Sequence, residues 1–235
     1  MCSSDLFERD LRHAAKLGCK VVRVLCMVSP EIMAKAVPIA EKYDVKMGVE
    51  VHQPYYFDHP WIMRHLEMAE RLGTKHYGLV PDMGIFTLRL PRVARDRMER
   101  MGATPKILDY VCEAYEAGTL SEYVIFETRK MGGNALDIAW AEQCRHSVYT
   151  NPKRLTEFMP YIFHIHAKFY EMLDDGTEYS IPYDRIIRAL KAGNYQGSLS
   201  SEYEGNRHIQ DAFPVDSVEQ VRRQHAMFRR LFAAA

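Results

Sequence analysis

The sequence has no excess of either charge. Its 31 Lys and Arg balance 31 Asp and Glu, so no global field draws it to nucleic acid or to an anionic membrane surface. An anionic partner would have to be met locally. It has no run of about 18 apolar residues that would read as a spanning helix, and no basic segment followed by an apolar one at its start. Cysteine is sparse: the five residues Cys2, Cys19, Cys26, Cys112 and Cys144 are odd in number and share no CxxC spacing. That pattern argues against a disulfide framework and against a structural zinc site. A soluble protein of a reducing cytoplasm, with no membrane and no nucleic acid among its partners, is the expectation.

What is present is a βα rhythm. A first helix, with Asp5 as a possible cap, ends near Gly18, and the short β-branched run Val21 to Leu25 follows. A helix from about Pro30 to Tyr43, with Pro38 as an expected kink, leads to the strand VKMGVEVH at 45–52. The helical stretch 60–73 then leads to HYGLVPD at 76–82, and strands so separated by helices form right-handed parallel units. Residues 83 to about 160 break the rhythm and read as a helical, irregular insertion, with RVARDRMER as a solvated face and MGGN as a turn. The rhythm returns with YIFHIHAKF, a helix at 182–192, SLSSEYEG at 198–205 and a final helix from Ser217.

Five strands alternate with helices where a closed (β/α)8 TIM barrel needs eight, and the first element is a helix. The expected fold is therefore a single TIM-barrel domain over 1–235, truncated at its N-terminal side to about five βα units. An open five-stranded α/β sheet is the alternative. On the barrel reading, the unpaired outer strands would favour oligomers.

Alternation then sorts the strand residues into two faces. In FHIHAKF the set Phe163, Ile165, Ala167 and Phe169 faces the helices, leaving His164, His166 and Lys168 toward the barrel axis. By the same rule Glu50 and His52, Asp82, and Glu202 and Glu204 gather at the C-terminal rim, where barrel active sites lie. Several carboxylates buried together without a cation would neutralise at a cost, and a divalent metal resolves that cost. The set Glu50, Asp82, His166 and Glu202 is oxygen-rich with one imidazole, which suits Mn²⁺ or Mg²⁺ better than Co²⁺ or Zn²⁺.

The strings GVEVH, LVPD, HIHAK and SSEYEG, with Glu, Asp, His and Glu in that order at four successive strand ends, resemble the xylose-isomerase-like TIM barrels. That group includes sugar isomerases, epimerases and endonuclease IV, and the resemblance covers about residues 19–232. It implies that Glu50, Asp82, His166 and Glu202 are metal ligands. Gly84 and Ile85 stand where many relatives have a histidine. EVH, HIHAKFY and SEYEG are similar to a narrower group, the catalytic subunits of bacterial C-glycoside deglycosidases, which cleave 3-oxo C-glycosides by elimination with the help of a small second subunit.

Both readings share removal of a proton from carbon next to a carbonyl. In an epimerase or isomerase, Glu50 and Glu202 would form the acid and base pair. In a deglycosidase, His52 is the better base, because a neutral imidazole is poised at working pH while the carboxylates hold the metal. Lys168, His164 and Glu204 would bind substrate oxygens; an inward ion pair between Lys168 and Glu204 is the structural alternative. A nuclease would need a basic groove, which the neutral charge disfavours, and a non-catalytic barrel with structural inward groups is the remaining rival.

Overall fold

Helix punctuation sets the first repeats. The computed structural model describes residues 3–147 and 149–234, and in it α1 (Ser3–Lys16) precedes β1 (Val21–Val24). Asp5 is not the cap expected from the sequence: the helix already runs from Ser3, which places Asp5 within it. Helix α2 (Pro30–Tyr43) is capped by the Ser29 side chain, carries Pro30 in its first turn, and ends on Asp44 in the left-handed region at φ 49. Pro38 sits inside that one continuous helix. Strand β2 (Lys46–Val51) and α3 (Pro60–Leu72) repeat the pattern, with His59 as cap and Gly73 at φ 61 as the stop. Strand β3 (Tyr77–Pro81) closes the first series.

Four helices follow, α4 (Arg92–Arg100), α5 (Pro105–Glu116), α6 (Ser121–Lys130) and α7 (Ala135–His146). MGGN is a turn: Asn134 caps α7 in a reciprocal capping box with Asp137. Buried Asp137 also accepts from the Thr104 amide at 2.7 Å and its hydroxyl at 2.9 Å, which ties the start of α5 to the start of α7. A short α8 (Leu155–Phe158) then leads to β4 (Ile165–Phe169), α9 (Tyr183–Ala192), β5 (Leu199–Tyr203) and α10 (Ser217–Ala234).

All five strands are parallel. β1 pairs with β2, β2 with β3, and β4 with β5; the two sets are joined by bridges from Leu79 to Ile162 and from Asp82 to His166. The order β1-β2-β3-β4-β5 makes an arc whose outer strands, among the described residues, each pair on one side. Close strand approach requires Gly48, where an added Cβ would come within 2.4 Å of Val80.

Two apolar clusters hold the chain. The larger packs the helix-facing strand residues Met47, Val49, Leu79, Ile165 and Ala167, all with no exposed surface, against Met33, Ala40, Ile62 and Ile187 of the surrounding helices. The smaller lies within α4 to α7, around Leu108, Val111, Val124, Ile125 and Trp140. Among the described residues no helix is long and apolar enough to cross a membrane.

Candidate active site

The C-terminal strand ends carry two connected clusters of ionisable groups. In the first, the Glu50 carboxylate accepts from His166 Nδ1 at 2.9 Å and from Arg23 Nη1 at 2.8 Å. Glu202 Oε2 stands 3.8 Å from the same His166 nitrogen. Burial pushes Glu50 upward, but the hydrogen bonds from His166 and Arg23 outweigh it and hold the carboxyl at about 2. Glu202 moves the other way: burial raises it, and the negative charge of Asp82 adds to the rise.

In the second cluster, Lys168 Nζ lies 2.7 Å from Asp82 Oδ2, 2.9 Å from His52 Nε2 and 3.5 Å from Glu204 Oε1. Asp82 uses its other oxygen to accept from the Gly84 amide at 2.7 Å. Its Oδ2 has no hydrogen bond of good alignment, so the Lys168 contact is an ion pair made by proximity. Burial works against the Lys168 charge, yet Asp82 and Glu204 together raise its pKa, and the ammonium stays protonated. Glu204 is bonded in turn by Arg207 at 2.8 Å.

The tautomer of His52 follows from its surroundings. Nδ1 lies 2.6 Å from the Gln53 carbonyl, an acceptor, so Nδ1 carries the proton and neutral His52 presents its lone pair at Nε2. That lone pair meets the Lys168 ammonium and lies 3.6 Å from Asp82 Oδ2. The adjoining loop is fixed by Gln53 Nε2, which donates to the Gly84 carbonyl at 2.8 Å.

The strand rim therefore brings Glu50, His166 and Glu202 together, and beside them His52, Asp82, Lys168 and Glu204. His164 is placed differently. It shares their face but lies just before β4 begins, with its ring nitrogens 2.8 Å from the Ser200 hydroxyl and 3.1 Å from that of Ser198. Alternation sorts faces; it does not give depth along the strand.

A cleft of about 500 Å³ opens over His52, Lys168 and Glu204. Its walls are Met98 of α4, Trp140 of α7 and Tyr170 from the segment after β4. The charged run RVARDRMER is thus not simply a solvated face: Ala94, Arg97 and Met98 line the cleft, with Met101 just beyond the helix end. The signal was a spacing of three and four residues on one helix face. Arg23 was also missed, although β1 alternation places it on the same side as Glu50. Tyr170 is held by Glu178, a buried carboxylate that accepts from the Tyr170 amide at 3.0 Å, from Glu171 at 3.3 Å, from Ser180 at 2.6 Å and from Ile181. Burial pushes Glu178 up to about 7 against those four amide bonds.

Among the described residues, no group of three or more His, Cys, Asp or Glu side chains is drawn together as it stands to hold a metal ion. Arg23 and Lys168 neutralise Glu50 and Asp82 instead, and His166 hydrogen-bonds to Glu50. The donor set nevertheless fits a hard divalent cation: buried Glu202 Oε2 accepts no hydrogen bond, Asp82 Oδ2 has none of good alignment, and Glu50 and Glu202 both stand beside the His166 imidazole.

Parallel strands with helices outside and ionisable groups at their C-terminal ends are the architecture of a TIM barrel, of which the described residues carry five βα units. The fold matches that of L-ribulose 3-epimerase with a TM-score of 0.53 at 13% identity, over 98% of this chain and 67% of that one. In sequence the chain is 30% identical over 244 residues to the 3'-dehydrocarminate deglycosidase alpha subunit of a Microbacterium species, covering 97% of this chain and 69% of that protein. It is also 30% identical over 237 residues to a C-glycoside deglycosidase alpha subunit of Arthrobacter globiformis, covering 98% and 67%. The chain belongs to the C-glycoside deglycosidase alpha-subunit family. No family model matches it.

Proposed function

We propose that the chain performs sugar chemistry as a lyase, cleaving a 3-oxo C-glycoside by elimination, with His52 as the base. The observation that supports this most directly is the His52 tautomer: its Nε2 lone pair faces the cleft floor beside a protonated Lys168. Once Lys168 Nζ turns from the His52 lone pair, which it meets at 2.9 Å, to the substrate carbonyl oxygen, His52 takes the proton from the sugar carbon next to the ketone. The bond from the neighbouring sugar carbon to the aglycone then breaks, its electron pair goes to the aglycone carbon, and the sugar keeps a new carbon–carbon double bond conjugated with its carbonyl. The imidazolium returns the proton to the departing aglycone carbon, so the reaction is redox-neutral. Lys168 stabilises charge as it develops on the carbonyl oxygen, and Glu204 keeps that ammonium in place.

Glu50, Asp82, His166 and Glu202 would hold a divalent ion, Mn²⁺ first and Mg²⁺, Co²⁺ or Zn²⁺ as alternatives, which supplies Lewis acidity to sugar oxygens. Arg23 and Lys168 would have to yield their carboxylates to it. A small second subunit is the proposed partner, since the relatives are named alpha subunits. The deciding assay follows aglycone release from a 3-oxo C-glycoside by the chain with its partner and Mn²⁺, in parallel with epimerisation of a ketose. Release without epimerisation is expected. Epimerisation that survives His52→Ala but is lost in Glu50→Gln would replace this reading with a Glu50 and Glu202 acid–base pair.

A further inference from the structure

The cleft has a second half that the proton transfer does not use. Above the ionic floor its wall is apolar, formed by Leu90, Ala94, Met98, Met101 and Trp140. One charged group is set into that wall. Arg97 makes a single hydrogen bond, from Nη1 to the Arg207 carbonyl at 2.9 Å. Its Nε is buried with no partner, and among the described residues no carboxylate forms an ion pair with it. The acidic groups nearby are already committed: Glu204 to Arg207 at 2.8 Å and Asp211 to Arg100 at 2.8 Å. A guanidinium left with one neutral acceptor beside apolar side chains is an unfilled demand for an anion, and its planar fork matches a carboxylate.

Resting on the lyase reading, in which the leaving aglycone must occupy the space above His52, we infer that this wall is an aglycone subsite selecting aromatic carboxylates, with Arg97 as the specificity-determining residue. The ring stacks among Met98, Met101 and Trp140, and the carboxylate reaches Arg97. A neutral aromatic of the same shape keeps the apolar contacts and leaves the guanidinium unanswered.

Binding can be read without turnover. The chain has two tryptophans, and Trp61 lies outside the cleft with its indole N–H on the Cys26 carbonyl at 2.6 Å. In a Trp61→Phe background, quenching of Trp140 fluorescence reports naphthalene-2-carboxylate against naphthalene-2-carboxamide. The carboxylate should bind about tenfold more tightly, as a charge-assisted hydrogen bond in an apolar site implies. Arg97→Gln should bring the two ligands within about twofold while amide binding persists, and Arg97→Lys should keep part of the preference. Equal binding of both probes by the Trp61→Phe protein, or a preference that survives Arg97→Gln, would overturn the subsite. If the probes discriminate as expected and no 3-oxo C-glycoside is cleaved, the lyase reading fails and the aromatic carboxylate site remains.

Discussion

The floor and the wall of the cleft are built on opposite principles. The floor rests on strand ends, where neighbouring backbones are locked in register and each ionisable group touches another: Glu50 with Arg23 and His166, Lys168 with Asp82 and His52. The wall is a set of helices with their own apolar cluster, and its side chains meet the cleft one by one. Charges held on a rigid sheet suit chemistry, which needs fixed geometry; apolar groups on a separately packed set of helices suit recognition of shape. A change in the floor should thus act on rate and on folding together, whereas a change in the wall should act on binding alone.

The sharpest test of that division is His52→Ala. Turnover of a 3-oxo C-glycoside should fall by about 10²- to 10⁴-fold, the usual contribution of a general base, while metal content stays unchanged. Full activity in the variant would move the base elsewhere on the floor.

Next comes Lys168→Met. It leaves the fully buried Asp82 carboxylate without its ammonium, and breaking a buried ion pair costs about 3–5 kcal/mol. Urea unfolding measures the loss. Added Mn²⁺ should restore more stability to the variant than to the unaltered chain, because Asp82 would then be free to bind it. Equal effects of Mn²⁺ on both proteins would remove Asp82 from the ligand set.

Acid should weaken the strand layer by a separate route. His65 of α3 has no exposed surface, its Nδ1 is 2.5 Å from the Tyr77 hydroxyl of β3, and burial lowers its pKa from 6.5 to about 4. Between these values the unfolded chain binds the proton and the folded chain does not, so stability is whole above pH 6.5 and falls on acidification toward pH 4. The loss is at most about 3 kcal/mol. Denaturant curves at pH 7 and pH 4.5 should show it, and His65→Gln should flatten the slope; an unchanged slope would assign the acid sensitivity to other groups.

The smallest effect belongs to the wall. Met98→Ala removes apolar contact that ground state and transition state share, so KM should rise about three- to tenfold with kcat unchanged. A fall in kcat instead would mean that wall and floor act as one unit.

Strand and helix order were legible because period-2 and period-3.6 patterns are local. Met47, Val49, Ile165 and Ala167 announce the helix-facing side of the sheet, and the ionisable residues between them announce the other. That same logic put Glu50, His166, Lys168 and Glu202 on one face together with His164, but it could not give the depth of His164, because depth along the strand depends on where the neighbouring strands begin. Arg23 escaped as a single charge in a short apolar run. The wall was illegible for another reason: Arg97 and Met98 are brought to the cleft by tertiary packing of α4, and a mixed-charge helix reads the same whether its neighbour is water or a cleft. Asp5 was misplaced because a capping pattern fixes a helix start only to within a turn or so.

The four amides gathered by Glu178 have a consequence of their own. Loops exchange their amide hydrogens with water piecemeal, each opening independently. Here the N–H groups of Tyr170, Glu171, Ser180 and Ile181, from the two ends of one excursion of the chain, share a single buried acceptor. None can reach solvent for long unless that carboxyl lets go of its partners too. In deuterium uptake the four should therefore behave as one slow cooperative unit, and Glu178→Ala should split them into four separate rates.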